Sequence, residues 1–356
     1  MVETEATDDI AVYGLHGGII GDGAEMVLGF NGSLVSVSIL PSNGSSARDT
    51  QRQKARPLQD HFIDVIDKAI VCQDDDEYEE LVDEVFIVIL DAGRPLFRQL
   101  ISAQEEQASD KSLHLYLFPP FFHFRLEAPN YTGSVSIVPI TSDETNIIHT
   151  VDHASERGSQ EDLDICQDLP SYTPEEVTVT QVFSHGKRTI TASVQVQGRV
   201  MLCKSSGEPG EVSSSRYYRR ELQCLHKLRE LFPTGSVRVP QLLGYVGHND
   251  TKQLLGLLRQ WVPGRCLNDI ATTATPENKR KWASQVRETI EALHQHGLIW
   301  GNGNPSNIII DEQDNAWLVG FGGGYTPGWI DEDLVETKQG DEQALKKIIE
   351  LLSGSE

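Results

Sequence analysis

Residues 294–311 read HQHGLIWGNGNPSNIIID, and residues 317–329, a few positions further on, read WLVGFGGGYTPGW. A helix is predicted before the first segment, because Thr275 suits an N-cap and Pro276 the first helical position. Its apolar stripe recurs at helical spacing at Trp282, Val286, Ile290 and Leu293. The two segments therefore place a polar loop, rich in glycine and asparagine, directly after a long helix. We interpret Asp311 and Asp314 as residues of a solvent-exposed turn that joins the two segments.

The region before this helix is predicted to be rich in β-strands. β-branched residues are frequent there, and over 189–196 alternate residues share one apolar face. A helix is predicted over 216–232, where leucines recur at helical spacing up to Pro233. The predicted strands lie at 177–182, 189–196, 199–204, 242–246 and 254–261.

Residues 1–150 are predicted to form a smaller α+β region, to which no function is assigned. The acidic run 74–77 lacks the spaced ligands and central glycine of an EF-hand loop, so it is interpreted as the start of a helix. The polar, acidic residues 151–175 are interpreted as a linker, which leaves 176–356 as a second domain. The elements predicted in the first region are a strand at 34–40, helices over 58–105, and strands at 113–118 and 121–126.

The composition excludes several classes of protein. The chain has 356 residues, 53 of them acidic and 30 basic, which gives a formal charge of −23. Proteins that bind nucleic acids or anionic membranes neutralise phosphates with Lys and Arg, so neither partner is expected. No apolar stretch is long enough for a transmembrane helix, and the acidic start lacks the order of a secretory signal. Five scattered cysteines without a CxxC pair argue against a disulfide framework and a zinc ribbon. We expect a cytoplasmic protein, with a nuclear location left open.

Residues 294–322 resemble the catalytic segment of the eukaryotic-type protein kinase fold, in which a helix, a catalytic loop and a strand lead to a metal-binding triplet. The tail 322–329, GGGYTPGW, is similar to that of a group of short kinase-like proteins from filamentous fungi, whose members read WGD.KP.N and DFGGGYT.GW. The resemblance covers roughly 176–356. It implies an α+β, protein-kinase-like bilobal domain, with a β-rich N-lobe and a shortened helical C-lobe, preceded by the smaller α+β region.

The resemblance also implies a nucleotide site. Lys204, at the end of a strand, is similar to the lysine that holds the nucleotide phosphates, and Glu221 to the helix carboxylate that fixes this lysine. Gln260 lies in the segment 257–264, which resembles the hinge that lines an adenine pocket. Asn307 is the one protein ligand of the metal that is retained. Structural roles are implied for Trp300, Phe321 and Asp341.

Three positions depart from the family pattern where the chemistry takes place. Asn302 stands where a kinase has the aspartate that accepts the proton, and an amide cannot act as a base. Asn304 replaces the lysine that contacts the transferred phosphate, and Gly320 replaces the metal-binding aspartate. Loss of a positioned base costs about a hundred- to ten-thousand-fold in rate, and loss of the metal costs several kcal/mol more. The sequence therefore predicts a pseudokinase without a metal site.

Three functional hypotheses follow. The first is a non-catalytic pseudokinase that acts by binding or regulation, with ATP as a candidate ligand in the absence of a well-formed Mg²⁺ site, and with an unknown protein or small molecule as its partner. The second is a weak or atypical ATP-dependent phosphotransferase acting on a small molecule or a protein. The third is a cleft recruited for a non-phosphoryl biosynthetic reaction. Its aromatic lining would come from Trp261, Trp300 and Trp329, and its proton donor would be His294 or His296. Lys204 and Glu221 also fit a purely structural ion pair.

Overall fold

A computed structural model describes residues 8–19, 23–42, 57–105, 111–128, 135–140, 168–207, 212, 215–233, 236–248 and 253–353. The chain divides into two compact units, here called unit 1 and unit 2. Unit 1 comprises Met1–Lys111 and Phe118–Glu156, and unit 2 comprises Ser112–Leu117 and Arg157–Glu356. The class is α+β, as predicted. Within the described ranges, no helix is long and apolar enough to cross a membrane.

Unit 1 is a five-stranded sheet with two helices. The sheet order is β1-β2-β3-β4-β5, and all neighbours are antiparallel except β3 and β4, which the two helices connect. The turn between β2 and β3 is Asn31-Gly32, and both residues have the positive φ that a two-residue hairpin turn requires. The elements are β1 (Ile10–Ile19), β2 (Gly23–Phe30), β3 (Ser33–Ile39), α1 (Leu58–Val71), α2 (Asp75–Glu105), β4 (Phe121–Glu127) and β5 (Ser136–Pro139).

Unit 2 contains a six-stranded sheet, and a helix of 16 residues follows one of its two central strands. The sheet order is β6-β10-β11-β9-β8-β7, with only the β6–β10 pair parallel. The predicted inward face of β8 is buried at Ile190, Ala192, Val194 and Val196. The elements are α3 (Leu113–Leu117), β6 (Ser171–Tyr172), β7 (Thr178–His185), β8 (Thr189–Val196), β9 (Arg199–Ser206), α4 (Arg216–Leu231), β10 (Leu242–Gly247) and β11 (Leu254–Gln260).

The rest of unit 2 is built around the predicted long helix. The side chain of Thr275 accepts a hydrogen bond from the backbone N–H of Asn278, which confirms the predicted N-cap. All four residues of the predicted apolar stripe are buried. A three-stranded sheet, β12-β13-β14, accompanies the helices. The elements are β12 (Gly264–Cys266), α5 (Leu267–Ile270), α6 (Pro276–Gln295), β13 (Ile308–Asp311), β14 (Ala316–Leu318) and α7 (Lys338–Ser353).

One predicted strand is a helix. The segment 113–118 alternates apolar and polar residues, but it forms α3, in which Leu113 and Leu117 are fully buried at the i, i+4 spacing of one helical face. The backbone N–H of Leu113 donates to the carbonyl of Val177, and α3 contacts β7 and β8 of unit 2. A short apolar run fits the residue period of a helix as well as that of a strand, and the surrounding contacts decide which of the two forms.

The predicted linker 151–175 lies mostly outside the described residues. Its described part includes β6, which pairs with β10 of the six-stranded sheet. A turn of 3-10 helix, Pro174–Glu176, then leads into β7, and the side chain of Glu176 accepts a hydrogen bond from the backbone N–H of Thr173. The predicted helix start at 74–77 is confirmed, since α2 begins at Asp75.

Candidate functional site

The structure brings Lys204 and Glu221 together. Lys204 lies near the end of β9, and Glu221 lies one and a half turns into α4. The Lys204 ammonium is 2.6 Å from Glu221 Oε2. The side chain of Glu221 is 5% exposed and that of Lys204 is 27% exposed, so the lysine is the member of the pair that solvent or a ligand reaches.

Arg259 lies beside this pair and is absent from the residues that sequence reasoning selected. On the antiparallel strands β9 and β11, Lys204 pairs with Leu257 and Leu202 pairs with Arg259, so Lys204 and Arg259 project from the same face of the sheet. Arg259 is buried, and its guanidinium is in electrostatic contact with Glu221. Burial lowers the pKa of Arg259, and the charge of Glu221 opposes that effect. The sequence signal was an arginine that directly follows the apolar run 254–258 of the same strand.

Two polar atoms in this cluster are buried without a hydrogen-bond partner. They are Nε of Arg259 and Oε1 of Glu221, the carboxylate oxygen that Lys204 does not contact. The guanidinium does donate through Nη1, to the backbone carbonyl of Gln260 at 3.2 Å. Buried polar atoms without partners are uncommon, so this pair is a distinctive feature of the site.

Gln260 faces away from Lys204. It pairs with Met201 rather than with Leu202 across β9, which puts its side chain on the opposite face of the sheet. The Gln260 backbone N–H donates to the carbonyl of Gln241 at 2.8 Å. The side chain borders an open groove of about 740 Å³, whose lining also includes Arg199, Arg229 and Trp317 but neither Lys204 nor Glu221.

In the loop after α6, the side chain of Asn302 is hydrogen-bonded to residues of the same loop and of the segment 323–326. Asn302 Oδ1 accepts hydrogen bonds from Asn304 Nδ2 at 3.1 Å and from the Thr326 hydroxyl at 3.0 Å. Asn302 Nδ2 donates to the carbonyl of Gly323 at 3.1 Å. Asn304 Oδ1 caps the following turn by accepting from the backbone N–H of Ser306. Both ends of the Asn302 amide are therefore engaged within the protein.

Gly320 has neither the backbone conformation nor the space for an ordinary side chain. Its φ is +77°, in the left-handed region, and a Cβ atom at this position would lie 2.5 Å from Asn307 Oδ1. Asn307 is held there, because its Nδ2 donates to the backbone carbonyl of Asn302 at 2.9 Å. The neighbouring Phe321 is buried, with 2% of its surface exposed.

Asp341 fixes the start of the same loop. It is completely buried in α7, and its carboxylate accepts hydrogen bonds from the backbone N–H groups of Trp300 and Gly301, each at 2.8 Å. His294 Nε2 lies 2.9 Å from the same carboxylate. Trp300 is also completely buried, and its indole N–H donates to the carbonyl of Val319 at 2.7 Å.

Arg220 is a second residue that sequence reasoning missed. It precedes Glu221 in α4, and its guanidinium donates to the backbone carbonyls of Ile299, at 2.9 Å, and Trp300, at 3.1 Å. It also donates to the carbonyl of Phe321. The absence of a side chain at Gly301 leaves room for it, since a Cβ there would lie 2.3 Å from Arg220 Nη2. Arg220 thus ties α4 to both segments quoted at the outset.

The remaining candidate residues are dispersed. His296 packs its ring against Phe232, and its Nδ1 lies 2.9 Å from the carbonyl of Ala292. Trp261 stacks on Phe183, with ring centres 5.1 Å apart and 20° between the planes. Trp329 is partly buried against the core of unit 2. Of the residues considered for non-phosphoryl chemistry, His294 and Trp300 meet at the Asp341 carboxylate, whereas His296 lies against Phe232 and Trp261 against Phe183.

No protein-family model matches this chain, and no curated protein matches it in sequence. Among the residues that the structure describes, no group of three or more His, Cys, Asp or Glu side chains is arranged to hold a metal ion.

Proposed function

We propose that residues 176–356 form a protein-kinase-like bilobal domain and that this domain is a non-catalytic pseudokinase, which acts by binding or regulation. The observation that carries the proposal is the state of Asn302. Its amide takes the place of the expected base and is engaged at both ends, by Asn304 and Thr326 on the oxygen and by Gly323 on the nitrogen. An amide in this state neither accepts a proton nor is free to orient a hydroxyl group.

The order of elements supports the kinase-like part of the proposal. An antiparallel sheet carries Lys204, the next helix carries Glu221, and the ion pair between them links sheet and helix. A strand then leads through 261–263 into a helical part with its own small sheet. There Asp341 holds the backbone of Trp300 and Gly301, as the resemblance implies for the aspartate that buttresses the catalytic loop.

Gly320 supports the non-catalytic part. A carboxylate is the usual protein ligand of Mg²⁺, and position 320 supplies none. Asn307 occupies the space into which a side chain at 320 would extend. ATP without a well-formed Mg²⁺ site remains the proposed candidate ligand, and an unknown protein or small molecule remains the proposed partner.

One observation favours a second candidate, a residual phosphotransferase. Lys204 and Glu221 keep the short contact that positions a nucleotide phosphate in active kinases. The third hypothesis has less support, because Trp300 is completely buried and His294 is engaged by Asp341.

A phosphotransfer assay tests the proposal. The full chain is incubated with radiolabelled ATP and Mg²⁺ or Mn²⁺, alone and with panels of protein and small-molecule acceptors, beside the Lys204→Met variant. We expect wild type and variant to give the same background release of phosphate. Transfer that disappears in Lys204→Met would establish the phosphotransferase instead.

A further inference from the structure

The open groove that Gln260 borders is a second concave surface of unit 2. It has a volume of about 740 Å³ and lies at one end of the six-stranded sheet, where β9 begins, β11 ends and β10 begins. On β9, Arg199 lies two residues before Met201, the partner of Gln260, so Arg199 and Gln260 project from the same face of the sheet. Lys204 projects from the opposite face. The groove is therefore separate from the site of Lys204 and Glu221.

The lining of the groove is more polar than that of a typical small-molecule pocket. Five of its nine residues carry a charge or an amide group, and they are Arg199, Arg229, Glu230, Gln241 and Gln260. Trp317 is among the apolar ones, and its indole N–H donates to Asp311 at 2.8 Å, which fixes the ring in the lining. Pockets for small molecules are mostly apolar and enclose most of their ligand. An open groove with a mixed lining suits an extended chain better.

Two amide side chains in the groove match the groups of a peptide backbone. Gln241 and Gln260 are adjacent, because the backbone N–H of Gln260 donates to the carbonyl of Gln241 at 2.8 Å. Gln260 Oε1 accepts from the backbone N–H of Gln241 at 3.5 Å, and Gln241 Nε2 donates to the carbonyl of Phe232 at 3.4 Å. Within the described part of the chain, Gln260 Nε2 and Gln241 Oε1 have no hydrogen-bond partner. One donor and one acceptor are thus available to the C=O and N–H groups of a bound chain.

The charges in the groove favour a carboxylate as the group that is bound. Arg229 already holds one, since its guanidinium donates to Asp168 at 2.8 Å. The side chain of Arg199 is exposed and forms neither a hydrogen bond nor an ion pair among the residues that the structure describes. An arginine guanidinium pairs well with a carboxylate. Glu230 also lines the groove and is 61% exposed, so a more highly charged anion such as a phosphate would be repelled.

We propose that this groove binds an extended segment of a partner protein in which an acidic residue stands next to a large apolar residue. The carboxylate pairs with Arg199, and the apolar side chain packs on the indole of Trp317. Gln241 and Gln260 hydrogen-bond the main chain of the segment. Elsewhere the formal charge of −23 repels an acidic segment, so Arg199 also supplies specificity for this surface. This binding does not depend on Lys204 or on a nucleotide.

A peptide array probed with the full chain tests the proposal. A positional-scanning set of short peptides identifies the preferred residues, and the selected peptide is then labelled with fluorescein and titrated by anisotropy. We expect the array to select Asp or Glu next to Leu, Ile or Phe. Arg199→Glu should bind the selected peptide about tenfold more weakly or worse, the effect of losing one hydrogen bond to a charged group. Arg287→Glu is the matched control, because it makes the same change of charge at an exposed arginine of α6 outside the groove. It should bind as wild type does.

Three results would overturn the proposal. They are an array that selects no residue type, an array that selects basic or phosphorylated residues, and equal binding of the selected peptide by Arg199→Glu and Arg287→Glu. Circular dichroism first shows whether Arg199→Glu is folded. If it is not, Gln260→Glu carries the test, because it keeps an oxygen that accepts from Gln241 and replaces only the NH₂ group with a charged oxygen. Unchanged binding by Gln260→Glu also refutes the groove as the site.

The two proposals fail separately. Phosphotransfer that requires Lys204 would refute the pseudokinase and leave the groove untouched. Peptide binding that is insensitive to Arg199 and Gln260 would refute only the groove.

Discussion

Replacing Asp341 with asparagine removes one charge from the interior of unit 2 and changes almost no volume. The carboxylate accepts from the backbone N–H of Trp300 through Oδ2 and from that of Gly301 through Oδ1. His294 lies on the Oδ2 side. Asparagine has only one carbonyl oxygen, so in either orientation one of the two backbone N–H groups faces an NH₂ group and loses its acceptor.

The magnitude follows from these contacts. A buried N–H without an acceptor costs about 1–3 kcal/mol. The surviving hydrogen bond changes from charge-assisted to neutral, which costs roughly 1 kcal/mol more. Asp341 is completely buried, so water does not compensate. The expected loss is about 3 kcal/mol in the free energy of unfolding, or about 6–12 °C in melting temperature for a domain of this size.

Thermal unfolding followed by near-ultraviolet circular dichroism is the suitable assay, because Trp300 lies against the altered group and reports the loss locally. Asp333→Asn is the matched control, since Asp333 is exposed, and it should melt within about 1–2 °C of wild type. A melting temperature for Asp341→Asn equal to that of the control would refute the idea that this carboxylate holds the loop.

Three further outcomes are expected. Gly320→Asp should destabilise the protein by about 1–3 kcal/mol in urea unfolding, because φ is positive at this position and a side chain would meet Asn307. The variant should also leave phosphotransfer at background. A stable variant with activity would contradict this prediction. Leu117→Ala should cost about 2–5 kcal/mol, since Leu117 is completely buried in α3, and a loss below 1 kcal/mol would contradict its packing role. Burial raises the pKa of Cys203 from 9.0 to about 12. In the folded protein at pH 8, maleimide should therefore label Cys72, which is partly exposed, and leave Cys203 unmodified. Peptide mass mapping would show which cysteine is labelled. Because the Cys203 pKa is higher in the folded state than in the unfolded state, its stabilising contribution is complete below pH 9 and is lost as the pH rises towards 12.

Elements with strong local patterns were predicted well. The long helix α6 was predicted from its cap and its apolar stripe, and β8 from its alternation. The helix α4 was predicted over 216–232 and ends one residue earlier. In each of these elements the spacing of the apolar residues fits only a helix or only a strand over its whole length. Residues close together in the chain are therefore enough to predict the element.

The conformation of α3 could not be predicted from its local sequence. Its alternation over 113–118 predicted a strand, and five of its residues are helical because Leu113 and Leu117 become buried together in unit 2. A run of this length supplies too few hydrogen bonds to fix its own conformation. The contacts with β7 and β8, distant in sequence, decide it.

The sequence by itself determined which chemical groups are absent, because an amide at Asn302 and a hydrogen at Gly320 have the same chemistry in any fold. Only the tertiary structure decided what the remaining groups do. It closed the Asn302 amide on its neighbours and buried Arg259 beside Glu221 with complementary atoms unpartnered. The physical reason is that hydrogen bonding and desolvation depend on neighbours that are far apart in the chain, and local residue patterns do not encode those neighbours.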